Sequence, residues 1–216
     1  MRFLPLLLLP LLLALMPAKP TRVVFFGDSI TQQGIQPGGY VDRLKKAMPA
    51  DQYELIGAGI GGNKIYDLFL RMDSDVLAKQ PDVVVVYVGV NDVWHKRTYG
   101  TGTDPDKFVA FYEATIKKLQ AANARVILCT PAAIGEKTDF SNEQDGDLNQ
   151  YSALIRELAA KYKLPVCDLR KVFLAHNLQH NPTNKDRGIL TTDRVHLNET
   201  GNQLVADEMR KVLTSK

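Results

Sequence analysis

Short apolar runs rich in valine and isoleucine alternate with longer amphipathic stretches from residue 22 onward. The clearest run, VVVVYV at residues 83–88, is continuously apolar, which is typical of a strand buried on both faces of a sheet. Similar runs predict four further strands, at residues 22–26, 53–56, 126–130 and 165–168. Strands that alternate with helices predict βαβ units. We therefore expect a five-stranded parallel, flavodoxin-like sheet in a three-layer α/β/α sandwich.

The amphipathic stretches predict the helices. Asp104 and Pro105 begin the clearest one, because aspartate is a favoured N-cap and proline is favoured at the first helical position. Apolar residues also recur at helical spacing in residues 148–162, and further helices are predicted at residues 40–48 and after Asn198, which can cap the last one. Three long polar loops are expected at residues 94–103, 131–147 and 177–192.

The first 19 residues are predicted to be a signal peptide. A basic start precedes a leucine-rich run at residues 3–16, and Ala18 is a small residue near a suitable cleavage point. The run is short for a bilayer span and two prolines interrupt it, although an uncleaved N-terminal anchor is the alternative. We therefore expect a secreted or periplasmic protein that begins near Lys19, forms one domain over residues 20–216, and has no stable membrane insertion after cleavage.

Composition and charge fit an ordinary globular domain. Hydrophobic residues make up 45% and charged residues 24% of the chain. The formal net charge is only +3 and no run of lysine or arginine is present, so we expect no nucleic-acid partner. Cys129 and Cys167 each lie in a predicted buried strand, which favours two buried thiols over a disulfide.

Ser29 is the candidate nucleophile. Of the five serines, it alone directly follows a predicted buried strand, in the segment Gly27-Asp28-Ser29-Ile30-Thr31. A sharp strand-to-helix turn at this point would expose the hydroxyl at the rim of the sheet and direct backbone amides toward developing negative charge. The alternative is that Asp28 or Ser29 only caps a helix. The G-x-S-x-G pattern of the larger α/β-hydrolases is absent from the sequence.

His196 is the candidate base. Asp193 lies three residues before it, and we expect the two side chains to share one side of a helical turn, where the carboxylate orients the imidazole. His176 and His180 are four residues apart and could share a helix face. Two histidines without a third ligand are a weak metal signal, so these two are interpreted as surface residues and no metal is predicted.

Four segments, in order, resemble the motif blocks of the SGNH hydrolases, also called the GDSL esterase/lipase family. They are Gly27-Asp28-Ser29-Ile30, Gly59-Ile60-Gly61-Gly62-Asn63, Gly89-Val90-Asn91-Asp92 and Asp193-Arg194-Val195-His196. The resemblance implies that Ser29 is the nucleophile, that His196 and Asp193 complete a triad, and that no cofactor is required. It also implies an oxyanion hole formed by Ser29, Gly62 and Asn91.

Acyl-transfer chemistry agrees with this assignment. Preformed donors aimed at the developing oxyanion contribute about 3–4 kcal/mol each. Ser29 and Gly62 offer backbone N–H groups and Asn91 offers a side-chain amide, although asparagine also closes strands as a turn residue. The second block departs from the usual family pattern, with Gly57-Ala58 before it and Lys64 after Asn63. That departure leaves open which groups support Gly62.

Residues 57–62 also fit the dinucleotide fingerprint G-x-G-x-x-G, with Asp82 about 20 residues further on. An acid that binds a ribose should end the next strand, whereas Asp82 begins it. The motif also follows the second predicted strand rather than the first. A nucleotide cofactor is therefore not predicted.

The sequence predicts a secreted serine esterase that forms an acyl-enzyme. Polar loops without a long apolar lid favour a short acyl group, acetyl above all, on a carbohydrate-like alcohol. Trp94 and His95 are candidate substrate-binding residues, with core packing as the alternative for Trp94. A lysophospholipase or thioesterase, a non-catalytic polysaccharide-binding module and a dinucleotide-dependent oxidoreductase are the other hypotheses.

Overall fold

The computed structural model describes residues 19–215, so residues 1–18 of the predicted signal peptide lie outside the described residues. Five parallel strands form one sheet in the order β2-β1-β3-β4-β5. The strands are β1 (Thr21–Gly27), β2 (Tyr53–Gly59), β3 (Val83–Tyr87), β4 (Arg125–Cys129) and β5 (Val166–Cys167). This flavodoxin-like order, with helices on both faces, confirms the predicted three-layer α/β/α sandwich.

The centre of the sheet is apolar on both faces. Every residue of β3 is buried, as its unbroken valine run predicted. Phe25 and Phe26 are neighbours in β1, so their side chains point to opposite faces, and both are fully buried. Both faces of the sheet are therefore covered, and the carboxyl ends of the strands are the edge left for loops and chemistry.

Eight α-helices are described between residues 19 and 215. They are α1 (Ser29–Gly34), α2 (Tyr40–Ala47), α3 (Ile65–Asp75), α4 (Val90–Thr98), α5 (Pro105–Ala121), α6 (Asp145–Tyr162), α7 (Leu169–His180) and α8 (Glu199–Thr214), with a 3-10 turn at Leu77–Lys79. Helix α2 packs against α8, and α3 packs against α5, which also contacts α6. Asn198 caps α8 as predicted, because its side-chain oxygen accepts a hydrogen bond from the Gly201 amide at 2.9 Å.

The three predicted loops are shorter than expected. Residues 94–98 belong to α4, residues 145–147 to α6 and residues 177–180 to α7. Each of these helix ends is rich in polar residues, many of them exposed, and that polarity was wrongly interpreted as loop. For α4 the error matters, since Trp94 and His95 are held on a helix that begins directly after the central strand.

The two cysteines are partners in register at the ends of β4 and β5. Both are buried and unbridged, which confirms the prediction of two buried thiols. Among the helices of the described residues, none has the length and apolar character that crossing a membrane requires.

Candidate active site

The turn after β1 presents Ser29 at the carboxyl edge of the sheet. Asp28 is the N-cap of α1, and its carboxylate accepts a hydrogen bond from the Ile30 amide at 3.0 Å. Ser29 is the first residue of that helix, so its own N–H has no acceptor within the helix. Gly27 permits the sharp turn, because a Cβ there would lie 2.3 Å from the Thr31 hydroxyl oxygen. The predicted strand-to-helix turn is therefore present.

Ser29, His196 and Asp193 form a continuous line of contacts. The Ser29 Oγ lies 3.0 Å from the His196 Nε2, and the His196 Nδ1 lies 2.6 Å from the Asp193 Oδ2. The other oxygen of Asp193 accepts the backbone amides of Val195 at 3.1 Å and His196 at 2.8 Å. Partial burial opposes the charge, but these hydrogen bonds hold the pKa of Asp193 below its usual value. Asp193 is therefore a carboxylate wherever the enzyme is folded near neutral pH.

The prediction that Asp193 and His196 share a helical turn was wrong. They lie on an irregular loop between α7 and α8, closed by an isolated antiparallel bridge between Thr191 and Leu197. Arg194, between them, has a positive φ of 87°. The pair meets because the Asp193 carboxylate binds the amides two and three residues ahead, a local turn that aspartate favours.

Glu136 anchors this loop through hydrogen bonds to its backbone. Its buried carboxylate accepts three consecutive backbone amides, those of Ile189 at 2.8 Å, Leu190 at 2.7 Å and Thr191 at 2.5 Å. The Gly135 amide also donates to the Arg194 carbonyl at 2.9 Å. No local sequence pattern marks Glu136, because its partners lie more than 50 residues away.

The three predicted oxyanion donors follow three neighbouring strands. Ser29 follows β1, Gly62 follows β2 and Asn91 follows β3, so the sheet brings all three to one edge. Gly62 is exposed and has a φ of 77°, a left-handed conformation that suits glycine. One amide hydrogen of Asn91 is donated to the Asn63 carbonyl at 3.1 Å, and a second remains for a ligand.

Gln32 and Arg71 support the loop that carries Gly62. Gln32 accepts the Gly61 amide at 2.8 Å. Arg71, on α3, donates to the Asn63 side chain at 2.6 Å and to the carbonyls of Gly27 at 2.8 Å and Ala58 at 3.0 Å. The Arg71 guanidinium thus links the ends of β1 and β2 to Asn63, whose carbonyl accepts the Asn91 amide. The support that the family pattern left open comes from these two residues, and Arg71 carried no sequence signal of its own.

Two buried carboxyl groups lie on the oxyanion side of the site. Burial, partly offset by the bond from Ile30, raises the pKa of Asp28 to about 7, and the charge of Asp92 adds to the rise. Burial also raises the pKa of Asp92 to about 6, although both its oxygens lie 3.3 Å from the Ile65 amide. This half of the site therefore contains acids whose charged forms are unfavourable.

Trp94 and His95 are both close to the reacting groups. The Trp94 ring meets the His196 ring edge to face, with centroids 6.2 Å apart. His95 is buried, packs against Tyr99 with centroids 4.8 Å apart, and places its Cε1 4.0 Å from where a Cβ on Gly62 would lie. Burial and the nearby charge of Lys64 lower the pKa of His95. Trp94, His95 and Tyr99 therefore form an aromatic wall beside Gly62, and the lowered pKa favours the neutral form of His95.

The other motifs lie elsewhere. His176 and His180 are stacked on α7, with ring centroids 4.3 Å apart. In the part of the chain that the structure describes, no group of three or more metal-ligating side chains occurs. Asp82 accepts the Arg22 amide at 2.7 Å at the amino end of the sheet, the edge opposite to Gly62. Its carboxylate is therefore out of reach of a ribose bound at the glycine loop.

A parallel α/β sandwich with a hydroxyl, an imidazole and a carboxylate aligned at its carboxyl edge is an architecture of acyl hydrolases. Residues 25–204 match the GDSL-like lipase/acylhydrolase family, and the chain belongs to that family. It is a carboxylic ester hydrolase, which confirms the enzyme class predicted from the sequence.

Relatives with stated activities are similar to this chain over most of its length. An acetylxylan esterase of Geobacillus stearothermophilus is 28% identical over 207 residues, or 86% of this chain and 90% of that protein. A GDSL esterase/lipase of Arabidopsis thaliana is 26% identical over 217 residues, or 91% and 80%. The crystal structure of the acetyl xylan esterase AlAXEase is 65% identical, with a TM-score of 0.86 over 88% of this chain and 98% of that one.

Proposed function

We propose that this protein is a serine esterase that removes acetyl groups from a xylan-type carbohydrate through an acyl-enzyme. The observation that carries the proposal is the relay from the Ser29 Oγ to the His196 Nε2 at 3.0 Å and from the His196 Nδ1 to Asp193 at 2.6 Å. The acetylxylan esterase activity stated for the relatives at 65% and 28% identity supports the choice of substrate.

In the first half-reaction the Ser29 Oγ attacks the acetyl carbonyl carbon and its proton passes to the His196 Nε2. The oxyanion accepts hydrogen bonds from the N–H groups of Ser29 and Gly62 and from the free amide hydrogen of Asn91. When the tetrahedral intermediate collapses, the bond to the sugar oxygen breaks and His196 gives that oxygen its proton. Asp193 accepts the Nδ1–H bond and stabilises the imidazolium.

In the second half-reaction water attacks the acetyl group on Ser29, and His196 takes the proton from that water. The Ser29 oxygen leaves with the proton that His196 returns, which releases acetate and restores the free enzyme. The balanced reaction consumes one ester and one water, and no other reactant enters it.

The wall formed by Trp94, His95 and Tyr99 favours a short acyl chain. His95 stands beside Gly62, where the acyl group projects once its carbonyl oxygen lies in the oxyanion hole. We expect His95→Ala to raise the ratio of butyrate to acetate hydrolysis roughly 10-fold, since one or two methylenes in a pocket are worth about 1–3 kcal/mol. Rates on 4-nitrophenyl acetate and butyrate measure that ratio, and Tyr162→Ala, remote from the site, is the control.

Acetate release from acetylated xylan tests the proposal directly. Wild-type protein should release acetate, and Ser29→Ala and His196→Ala should not, while both variants keep the wild-type circular dichroism spectrum. Mass spectrometry after rapid acid quench should find one acetyl group on Ser29. If folded Ser29→Ala deacetylates xylan at the wild-type rate, the proposed mechanism is wrong.

We also propose that the protein is exported and that its signal peptide is removed near Lys19. The basic start, the leucine-rich run and Ala18 support this. N-terminal sequencing of protein recovered from the culture medium or periplasm should begin near Lys19. A recovered chain that begins at Met1 would contradict the proposal.

A further inference from the structure

A surface groove begins beside the proposed triad and contains none of the oxyanion residues. Its cavity of about 620 Å³ has Gln33 and Gln36 on one side and Thr192, Leu197 and Asn198 on the other. Neither the proposed triad residues nor Gly62, Asn91, Trp94 and His95 line it. We call this cavity the Gln33 groove.

Both walls of the Gln33 groove are continuous with the reacting residues. Gln33 comes four residues after Ser29 on α1, so it lies on the same helix face about 6 Å further along the axis. On the other wall, Thr192 donates its backbone N–H to the His196 carbonyl at 2.8 Å and its hydroxyl to the same oxygen at 3.2 Å. One wall of the groove therefore lies on the helix that begins with Ser29, and the other lies on the loop that carries His196.

The proposed reaction requires the two parts of the ester to lie on different sides. The carbonyl oxygen points toward Gly62 and Asn91, and the leaving oxygen must lie near the His196 Nε2, which protonates it. The alcohol part of the substrate therefore extends on the His196 side. Gln33 and Thr192 place the Gln33 groove on this side, whereas His95, which stands beside Gly62, lies on the acyl side.

The lining of the groove suits a neutral, hydroxyl-rich ligand. Gln33 and Gln36 are exposed, and within residues 19–215 their side-chain amides make no hydrogen bond. Each amide both donates and accepts, as sugar hydroxyls do. Arg43 lines the far part of the groove, where its charge is shared with Glu199 at 3.5 Å.

The groove also has room for a saccharide ligand. Its volume lies within the range of about 300–1,000 Å³ that small-ligand sites occupy. A second cavity of about 380 Å³ shares Gly38 and Arg43 with it and continues past Lys46 on α2. Two adjoining cavities offer room for several linked sugars.

We infer that the Gln33 groove binds the saccharide chain that carries the acetyl ester, on the leaving-group side of Ser29. The inference rests on the proposed function for its orientation. It assigns Gln33, Gln36 and Thr192 to recognition of the sugar chain and gives them no part in the chemical step. Activity on a small aryl ester should therefore not depend on the two glutamines.

Paired kinetics test this assignment. In wild type, kcat/KM for acetylated xylo-oligosaccharides should rise from one sugar to four. The double variant Gln33→Ala/Gln36→Ala should lose that rise, with a drop of roughly 10-fold on the tetramer for two lost hydrogen bonds and an unchanged rate on 4-nitrophenyl acetate. The matched control is Gln120→Ala/Gln150→Ala, which removes two exposed glutamines from α5 and α6. If the glutamine variant keeps the full rise with chain length, the groove does not hold the chain.

A binding experiment separates failure of the groove from failure of the proposed chemistry. Xylohexaose without acetyl groups is titrated into Ser29→Ala protein by calorimetry, with and without the Gln33→Ala/Gln36→Ala changes. Binding that weakens roughly 10-fold with these changes supports the groove even if no acetate is released from any ester. Binding that is absent, or equal in both proteins, overturns the groove, and acetyl xylan hydrolysis by wild type would then leave the proposed function standing.

Discussion

The two halves of the candidate site are built in different ways. Ser29, Gly62 and Asn91 follow the ends of three adjacent parallel strands, so the register of the sheet places them. Asp193 and His196 lie on an irregular loop between α7 and α8 and belong to no strand of the sheet. Sheet topology thus brings the proposed nucleophile and oxyanion donors to one edge, whereas the proposed base lies on a loop whose position the sheet does not set.

The anchors of the two halves have opposite charge. Arg71 binds backbone carbonyls, which are the groups that parallel strands leave free at their carboxyl ends. Glu136 binds backbone amides at Ile189, Leu190 and Thr191, which are free because the loop forms no ladder there. Each anchor supplies the hydrogen-bonding partner that its half lacks.

The strand half of the site, formed by Ser29, Gly62 and Asn91, should control the chemical step. We expect Asn91→Ala to lower kcat about 100- to 1,000-fold, the usual cost of one oxyanion donor, with little change in KM because the bond matters most once charge develops. Steady-state kinetics on 4-nitrophenyl acetate measure both constants. A raised KM with kcat untouched would show that Asn91 binds the ground state and is not an oxyanion donor.

The anchor of the strand half should act through geometry. Arg71→Ala frees the ends of β1 and β2 and the loop at Asn63, and we expect kcat to fall by up to about 100-fold, as a misplacement near 1 Å can cost. Arg71→Lys should recover part of kcat. The matched control is Arg170→Ala, which removes a somewhat more buried arginine with the same kinds of partner: the Asn149 side chain, the Asp145 carboxylate and the Ala132 carbonyl.

Comparison of the two arginine variants separates positioning from stability. Both should lower the melting temperature, because each loses a partly or fully buried ion pair. Only Arg71→Ala should lower kcat of the folded protein. Equal loss of kcat in Arg71→Ala and Arg170→Ala would reduce Arg71 to a structural role.

The contrast also explains what could be predicted from sequence. Ser29 and Asn91 stand directly after apolar runs, so the strand pattern locates them at the sheet edge. The Asp193 and His196 spacing resembles the family block, but the helical turn predicted for it was wrong because three-residue spacing also fits a side-chain-to-backbone turn. A short-range pattern cannot distinguish these two geometries.

The anchors could not be predicted, for a physical reason. Arg71 meets Gly27 across 44 residues and Glu136 meets Leu190 across 54. Both side chains are ionic in helical or loop segments, where a charged residue is expected at the surface. Their partners are backbone atoms, which leave no trace in the identity of the residue that provides them. Such contacts become visible only with the tertiary fold.

In the loop half of the site, formed by Asp193 and His196, we expect loss of the anchor Glu136 to lower the stability of the protein. In Glu136→Gln one carboxylate oxygen becomes an amide that donates, so at least one amide at Ile189–Thr191 loses its acceptor. We expect a cost of about 1–3 kcal/mol, and thus a melting temperature lower by roughly 2–10 °C for a domain of this size. Glu113→Gln, which loses only the surface pair with Lys161, is the control and should change it little. Equal changes in both variants would remove Glu136 as an anchor.

The smallest expected effect is a difference in how the two halves respond to pH. Burial raises the pKa of Asp28 to about 7, so between about pH 4 and 7 the folded state binds a proton that the unfolded state does not. Stability from this group is therefore present at low pH and is lost as pH rises. Asp193 has a lowered pKa, so its contribution is present above its unfolded value and is lost only as the solution becomes more acidic than that.

Unfolding by urea between pH 5 and 7.5 should reveal that difference. The free energy of unfolding of Asp28→Asn, relative to wild type, should rise with pH across this window, with a slope no steeper than about 1.4 kcal/mol per pH unit for a single group. The asparagine side chain in this variant keeps an oxygen for the Ile30 amide, so the comparison isolates the charge. Asp193 itself is ionised in both the folded and the unfolded state over this range, so its own titration adds no slope. Parallel curves for Asp28→Asn and wild type would show that Asp28 is charged in the folded protein at pH 5, and that the strand half tolerates the buried charge which its surroundings disfavour.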